Sequence, residues 1–124
     1  MPRQNMPTVV HVVVADPRDR AWIEMALGRS VDPVFLDGDS GLLAKLPRGC
    51  GHCLILSGDH TAAMLHLLRG LRNAGNTIPV LVVGAHPTLR GAMTIAGLDA
   101  TEVLEEPVSV LQLRAAVRRV FASD

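Results

Sequence analysis

Tyrosine is absent from this 124-residue sequence, and the other aromatic rings are two phenylalanines and one tryptophan. Proteins that grip RNA or single-stranded DNA stack bases on such rings, and here the platforms are missing. Neither charge is in excess: 12 basic and 12 acidic side chains cancel. Coating nucleic acid or an anionic membrane depends on net electrostatic attraction, so neither is expected as the main activity. Two cysteines are too few for a disulfide scaffold, and with 48% hydrophobic residues the chain needs none, which fits a reducing compartment. No apolar run approaches the roughly 20 residues of a membrane-spanning helix. The start, Met1 to Thr8, carries Arg3, Gln4 and Asn5 in place of an apolar signal core and cleavage site. The expectation is a soluble cytoplasmic protein with no membrane partner, made of an N-terminal tail at 1–8 and one domain at 9–124. Lysine is scarce as well: Lys45 stands alone beside eleven arginines, a bias read as that of a GC-rich genome.

What is present is alternation. Val9 to Ala15 is a nearly unbroken β-branched run, the pattern of a strand buried on both faces of a parallel sheet. Cys53 to Leu56 and Val80 to Val83 repeat it, while Val34 to Leu36 and Val103 to Leu104 are shorter versions suited to edges. Helical patterns lie between and after them: Arg18 to Leu27, Ser40 to Leu46, Thr61 to Ala74, Thr88 to Ala96 and Ser109 to Phe121. Sheet-facing stripes are read as Ile23, Ala26 and Leu27; Met64, Leu67, Leu68 and Leu71; and Leu111, Leu113, Val117 and Val120. Ser40 and Ser109 fall at N-cap positions, and Gly75 with Asn76, or Gly97, supply left-handed stops. Strand and helix alternate five times without a repeat or linker. The predicted fold is α/β, a three-layer (βα)5 sandwich of flavodoxin-like type, with a parallel five-stranded sheet of order 2-1-3-4-5.

Particular residues narrow this further. Pro17-x-x-Arg20-x-x-Ile23 with Ala26 and Leu27, Ile78-Pro79 before VLVVGAH, and Ala96-Gly97 with Glu106-Pro107 are similar to the corresponding stretches of a known family. From about Val9 to Phe121 the chain resembles the CheY-like receiver domain of two-component response regulators. The resemblance implies a phosphoryl-accepting aspartate at the end of the third strand, and Ser57 stands there. It implies a pair of acidic Mg²⁺ ligands after the first strand, where Val14-Ala15-Asp16 leaves only Asp16. It implies a hydroxyl at the end of the fourth strand, where Gly84 stands, and a lysine before the last proline, where Glu106 reverses the charge. Asp59, two residues past Ser57, is a displaced acceptor without its partners. The fifth strand, Thr101 to Leu104, has no aromatic switch residue, and the Glu106-Pro107 bond is expected to be cis, like its counterpart in the family. The chain therefore reads as a degenerate pseudo-receiver that needs no cofactor.

Other constellations are weighed against plainer readings. Cys50-Gly51-His52-Cys53 is a CxxC, but no second pair completes a zinc site and the motif precedes a strand rather than opening a helix. Structural cysteines are favoured, with a redox pair or soft-metal site as the alternative. Asp16, Ser57, Asp59, His60, His86 and Glu106 should lie near the carboxyl edge of the sheet, where such folds bind ligands, and His60 and His86 are weak metal candidates there. Solvated loop residues are the plainer reading. His11 is read as a strand histidine and His66 as a helix-surface one. The arginines of the last helix, Arg114, Arg118 and Arg119, are read as a solvated face, and DNA binding by this domain alone is not expected.

The expected function is phosphorylation-independent signalling through protein–protein contact, in a two-component or transcription-regulatory pathway. The resemblance implies one face for a histidine kinase or regulator around Arg18, Trp22 and Met25. It implies a second, self-associating face on the fourth helix, fifth strand and fifth helix, with Arg90, Met93, Thr94, Glu102, Val110 and Arg114, giving a homodimer. The alternative is a ligand, metal or redox sensor using the carboxyl-edge pocket or the Cys50/Cys53 pair. An enzyme is not expected, because nucleophile, base and orienting group do not occur together.

Overall fold

The three β-branched runs form strands because each is covered on both faces. In the computed structural model, β1 (Val9–Val14) and β3 (His52–Ser57) bury their four central residues without alternation, and β4 (Val80–Ala85) buries Val80, Leu81, Val82 and Val83. The structure describes residues 9–14, 17–28, 31–36, 46, 52–57, 61–85, 88–98 and 100–122. These three strands are the interior of a five-stranded parallel sheet of order β2-β1-β3-β4-β5, as the sequence predicts. The edge strands, β2 (Asp32–Leu36) and β5 (Glu102–Glu105), are more exposed and begin earlier than their apolar residues. Pro33 pairs with Val10 inside β2, and a proline without an N–H is admissible there because the strand has an open edge.

Among the described residues four helices pack on this sheet: α1 (Pro17–Leu27), α2 (Thr61–Asn73), α3 (Leu89–Ala96) and α4 (Val110–Ala122). The α/β flavodoxin-like architecture is thus present. Of the helix expected at Ser40 to Leu46, all but Leu46 lies outside the described residues, and Leu46 is buried. Side chains alternate across the strands and so build two cores. Val10, Val12, Cys53, Ile55, Leu81 and Val83 pack with Ile23, Ala26 and Leu27 of α1 and with Leu113, Ala116, Val117 and Val120 of α4. Val13, Leu54, Leu56, Val80, Val82 and Val103 pack on the other side with Met64, Leu68 and Leu71 of α2 and Leu89 and Met93 of α3.

Two local expectations are corrected. Leu111 is 73% exposed and not part of the α4 stripe. The stripe runs 113, 116, 117, 120, the i, i+3, i+4, i+7 spacing, and a residue two before Leu113 falls on the far side of the helix. Asn76 does not adopt a left-handed conformation; Gly75 does, with φ 76°. Asn76 is fully buried and its amide joins two loops, donating to the Leu46 carbonyl at 2.8 Å and accepting from the Ile78 amide at 2.9 Å. Arg72 closes the same turn by donating to the carbonyls of Asn76 and Ile78.

The caps follow the sequence. The Ser109 hydroxyl accepts from the Gln112 amide at 3.1 Å and the Gln112 side chain accepts from the Ser109 amide at 2.8 Å, a reciprocal capping box at the start of α4. Gly97, at φ 69°, ends α3 and donates to its last carbonyls. The Ser40 cap lies outside the described residues. No described helix is long and apolar enough to cross a membrane.

Candidate functional site

The parallel register brings the carboxyl ends of four strands into one row. Val14 pairs with Ser57, Ser57 with Val83, and Val83 with Leu104. Ser57 therefore occupies the middle of the carboxyl edge, half-buried between two valines. A serine hydroxyl here is a neutral donor and acceptor, with none of the charge that an acyl-phosphate acceptor or a cation ligand supplies.

Past this row the β4–β5 register slips: Val83 faces Leu104, but Ala85 faces Glu105. Gly84 is the extra residue, and its φ of 75° lies in the left-handed region. A bulge residue in that conformation is glycine because a Cβ would crowd the backbone. The Glu106 side chain lies against it: a Cβ built on Gly84 would stand 3.7 Å from Glu106 Oε1 and 3.8 Å from its Cγ. The peptide bond from Glu106 to Pro107 is cis. So the end of β4 offers bare backbone with a carboxylate laid over it. That surface repels an anion, and its conformation resists any residue that would supply a hydroxyl.

Asp16, Asp59, His60, His86 and Cys50 lie outside the described residues. Among the described residues no three His, Cys, Asp or Glu side chains gather around a common point. Cys53 is fully buried in the core shared with α1 and α4, which shields its thiol from solution chemistry.

On the expected interaction faces, Arg18 is exposed, Trp22 half-buried and Met25 63% exposed along α1. Met93 is not surface: it is 5% exposed and packs into the α2/α3 core, because it repeats Leu89 at i+4. Arg114 is exposed, and its Nε donates to the Ala26 carbonyl of α1 at 2.6 Å, which ties α4 to α1. Arg90, Thr94, Glu102 and Val110 remain at least partly accessible. The sequence reading missed Ile95, which is 90% exposed on α3, and the displaced Leu111. An apolar residue off the Leu89/Met93 spacing was the available signal for Ile95.

Several arginines are engaged within the fold. Arg90 Nε donates to Glu105 at 3.0 Å and Arg90 also binds the Val103 carbonyl at 2.7 Å; Arg119 pairs with Glu102, which raises the guanidinium pKa. Arg20 lies 4.5 Å from the Phe35 ring centroid. Arg114, Arg118 and Arg119 are all exposed on α4, the solvated face anticipated, while Arg114 and Arg119 also make contacts within the fold.

At the opposite, amino edge the structure places a pair that sequence reading did not connect. His11 of β1 is 7% exposed, and its Nε2 lies 3.3 Å from Nδ1 of His52, the first residue of β3. Burial first, and the neighbouring imidazole second, lower the His11 pKa below its ordinary 6.5. His66 is on the surface of α2, as expected.

No protein-family model matches the chain, and no curated protein matches it. Its fold does match solved structures. FixJ from B. japonicum is 18% identical with a TM-score of 0.71 over 94% of this chain, which spans only 58% of FixJ. A response regulator from Colwellia psychrerythraea is 13% identical, with a TM-score of 0.73 over 97% of this chain and 100% of that one. A pilus assembly protein, CpaE from Caulobacter crescentus CB15, is 23% identical, with a TM-score of 0.64 over 95% of each chain. What these likenesses establish for the chain, together with its strand order, is the receiver fold.

Proposed function

We propose that this chain is a degenerate receiver, a signalling module that binds another protein without being switched by aspartyl phosphate. The observation that carries the reading is Gly84. Phosphoryl transfer relies on donors and cations placed around the transferring group. Here the end of β4 is a left-handed glycine under a carboxylate, and Ser57 takes the acceptor position. Loss of the acceptor carboxylate alone abolishes acyl-phosphate chemistry, and the reversed charge at Glu106 opposes phosphate binding.

The retained fold supports a role in protein contact within a two-component or transcription-regulatory pathway. One face is α1, with Arg18, Trp22 and the exposed Met25, offered to a histidine kinase or regulator. The other is the α3–β5–α4 side, with Thr94, Glu102 and the exposed Ile95, offered to a second copy of the chain. Binding is non-catalytic and takes place in the cytoplasm.

Incubating the full chain with acetyl phosphate and Mg²⁺ and measuring its intact mass tests this. The expected spectrum is unchanged, and a gain of one phosphoryl group on an aspartate overturns the proposal.

A further inference from the structure

The large apolar side chains that α1 and α4 leave exposed, Met25 and Leu111, fall on one side of the molecule. Both helices follow the carboxyl ends of strands and pack against the same core. Arg20 lies against Phe35 of β2, which fixes one flank of α1 toward that strand. Arg18, Trp22 and Met25, spaced i, i+4, i+7, form a ridge on the other flank. On α4, Arg119 pairs with Glu102 of β5, so Leu111, Arg114 and Arg118, spaced i, i+3, i+7, form a ridge on the flank away from β5. The two helices meet there: Arg114 donates to the Ala26 carbonyl, and its guanidinium lies 3.9 Å from a Cβ built on Gly28.

This face combines apolar surface with charge of one sign. Met25 is 63% and Leu111 73% exposed, and Trp22, the only tryptophan, is half-buried at the rim of the core. Folding calls for a large apolar side chain at neither exposed position, and apolar groups gathered within a polar rim mark contact surfaces. Tryptophan, methionine and arginine are residue types enriched in such surfaces. α4 holds three arginines and no carboxylate. Arg119 is neutralised by Glu102, whereas Arg114 bonds a neutral carbonyl and Arg118 has no ion pair among the described residues. Of the two carboxylates of α1, Glu24 stands four residues from Arg20 on the β2 flank, and Asp19 is half-buried in the first turn.

We propose that the α1–α4 face docks an amphipathic helix of a partner protein, one whose apolar stripe is flanked by aspartate and glutamate. This rests on the reading of the chain as a protein-binding module and names the chemistry of the partner. The apolar stripe covers Met25, Leu111 and the accessible part of Trp22, and the carboxylates meet Arg114 and Arg118 at the rim. Duplex nucleic acid supplies the negative charge without the stripe, and its phosphates would leave Met25 and Leu111 uncovered.

The test titrates the full chain with a synthetic helical peptide carrying a leucine stripe flanked by glutamates, read by Trp22 fluorescence and ¹H–¹⁵N spectra. Saturable binding that weakens with salt is expected, with the largest shifts in α1 and α4. A peptide with the same stripe flanked by lysines should bind at least about tenfold more weakly, because several exposed contacts turn repulsive. Leu111→Ser should weaken binding about tenfold through lost apolar burial. Arg118→Glu should weaken it about threefold or more. Ile95→Ser, on α3, should leave it unchanged. All three positions are exposed, so circular dichroism of the variants should match the parent. The surface is overturned by no saturable binding below about a millimolar, by equal binding of the two peptides, or by shifts centred on α3 and β5. A second copy of the chain or duplex DNA occupying α1 and α4 in place of the peptide overturns it too. A phosphoryl gain in the acetyl phosphate experiment defeats the underlying reading, whereas an unchanged mass with no peptide binding defeats this surface alone.

Discussion

Replacing Gly84 and Gly91 separately by alanine should move stability in opposite directions. Gly91 lies inside α3, exposed, with no atom within 4 Å of an added Cβ and no positive φ. Alanine there restricts the unfolded chain and fits the helix, a gain of about 0.5–1 kcal/mol. At Gly84 the added Cβ meets only Glu106 atoms at 3.7 and 3.8 Å, ordinary contact, so no clash enters. The whole effect is conformational: holding an L-residue at a φ of 75° costs about 1–2 kcal/mol. The two variants should therefore differ by about 1.5–3 kcal/mol, roughly 5–15 °C in Tm for a chain of this size. Gly84→Thr should fall below Gly84→Ala, because a β-branched residue tolerates this region least. Thermal and urea unfolding followed by circular dichroism read all three, with equal urea m-values required for comparison. A Gly84→Ala protein as stable as the parent would show that this backbone accepts a side chain. A hydroxyl could then be restored by one substitution, and the strongest support for a phosphorylation-independent module would be gone.

Two further outcomes are expected. Asn76→Ala strands the buried Leu46 carbonyl and Ile78 amide, and at about 1–3 kcal/mol for each unsatisfied group it should lose about 2–6 kcal/mol in denaturant titration; a loss under about 1 kcal/mol would mean that the amide does not hold the two loops together. The His11 contribution to stability should be complete above about pH 6.5 and decline below it toward the lowered folded pKa, because the unfolded chain then binds a proton that the buried ring refuses. His52→Gln should flatten that decline by removing the neighbouring charge, and an unchanged slope would leave His52 without the part assigned to it.

Strand order and both cores were legible because burial on two faces leaves short β-branched apolar runs between helical patterns: Val10 and Val12 face one layer of helices and Val13 the other. Errors occurred where one-dimensional spacing has two solutions. Met93 and Ile95 are both apolar and both on α3, yet only the former repeats Leu89 across one helical turn; Leu111 was grouped with Leu113 although adjacent-but-one residues point to opposite sides. The His11–His52 contact spans 41 residues of sequence and exists only through the register of two strands, which no local pattern encodes. At the carboxyl edge the sequence showed which side chains were missing but not why one could not simply return.

That last point follows from the coupling of the bulge to the charge. Ser57 is paired with Val83, the residue before Gly84, and Gly84 lies under the Glu106 carboxylate. Aspartate at position 57 would add a third carboxylate to an edge that already carries Glu105 and Glu106 and, among the described residues, no lysine. Like charges gathered on one edge disfavour an ionised nucleophile rather than activate it. Lysine at position 106 would remove that repulsion yet leave the left-handed glycine with no hydroxyl to offer. A threonine at position 84 supplies the hydroxyl only if the β4–β5 register gives up its bulge. Each reversal is blunted by the other two, so drift back to a phosphorylated switch requires changes in charge and in backbone together.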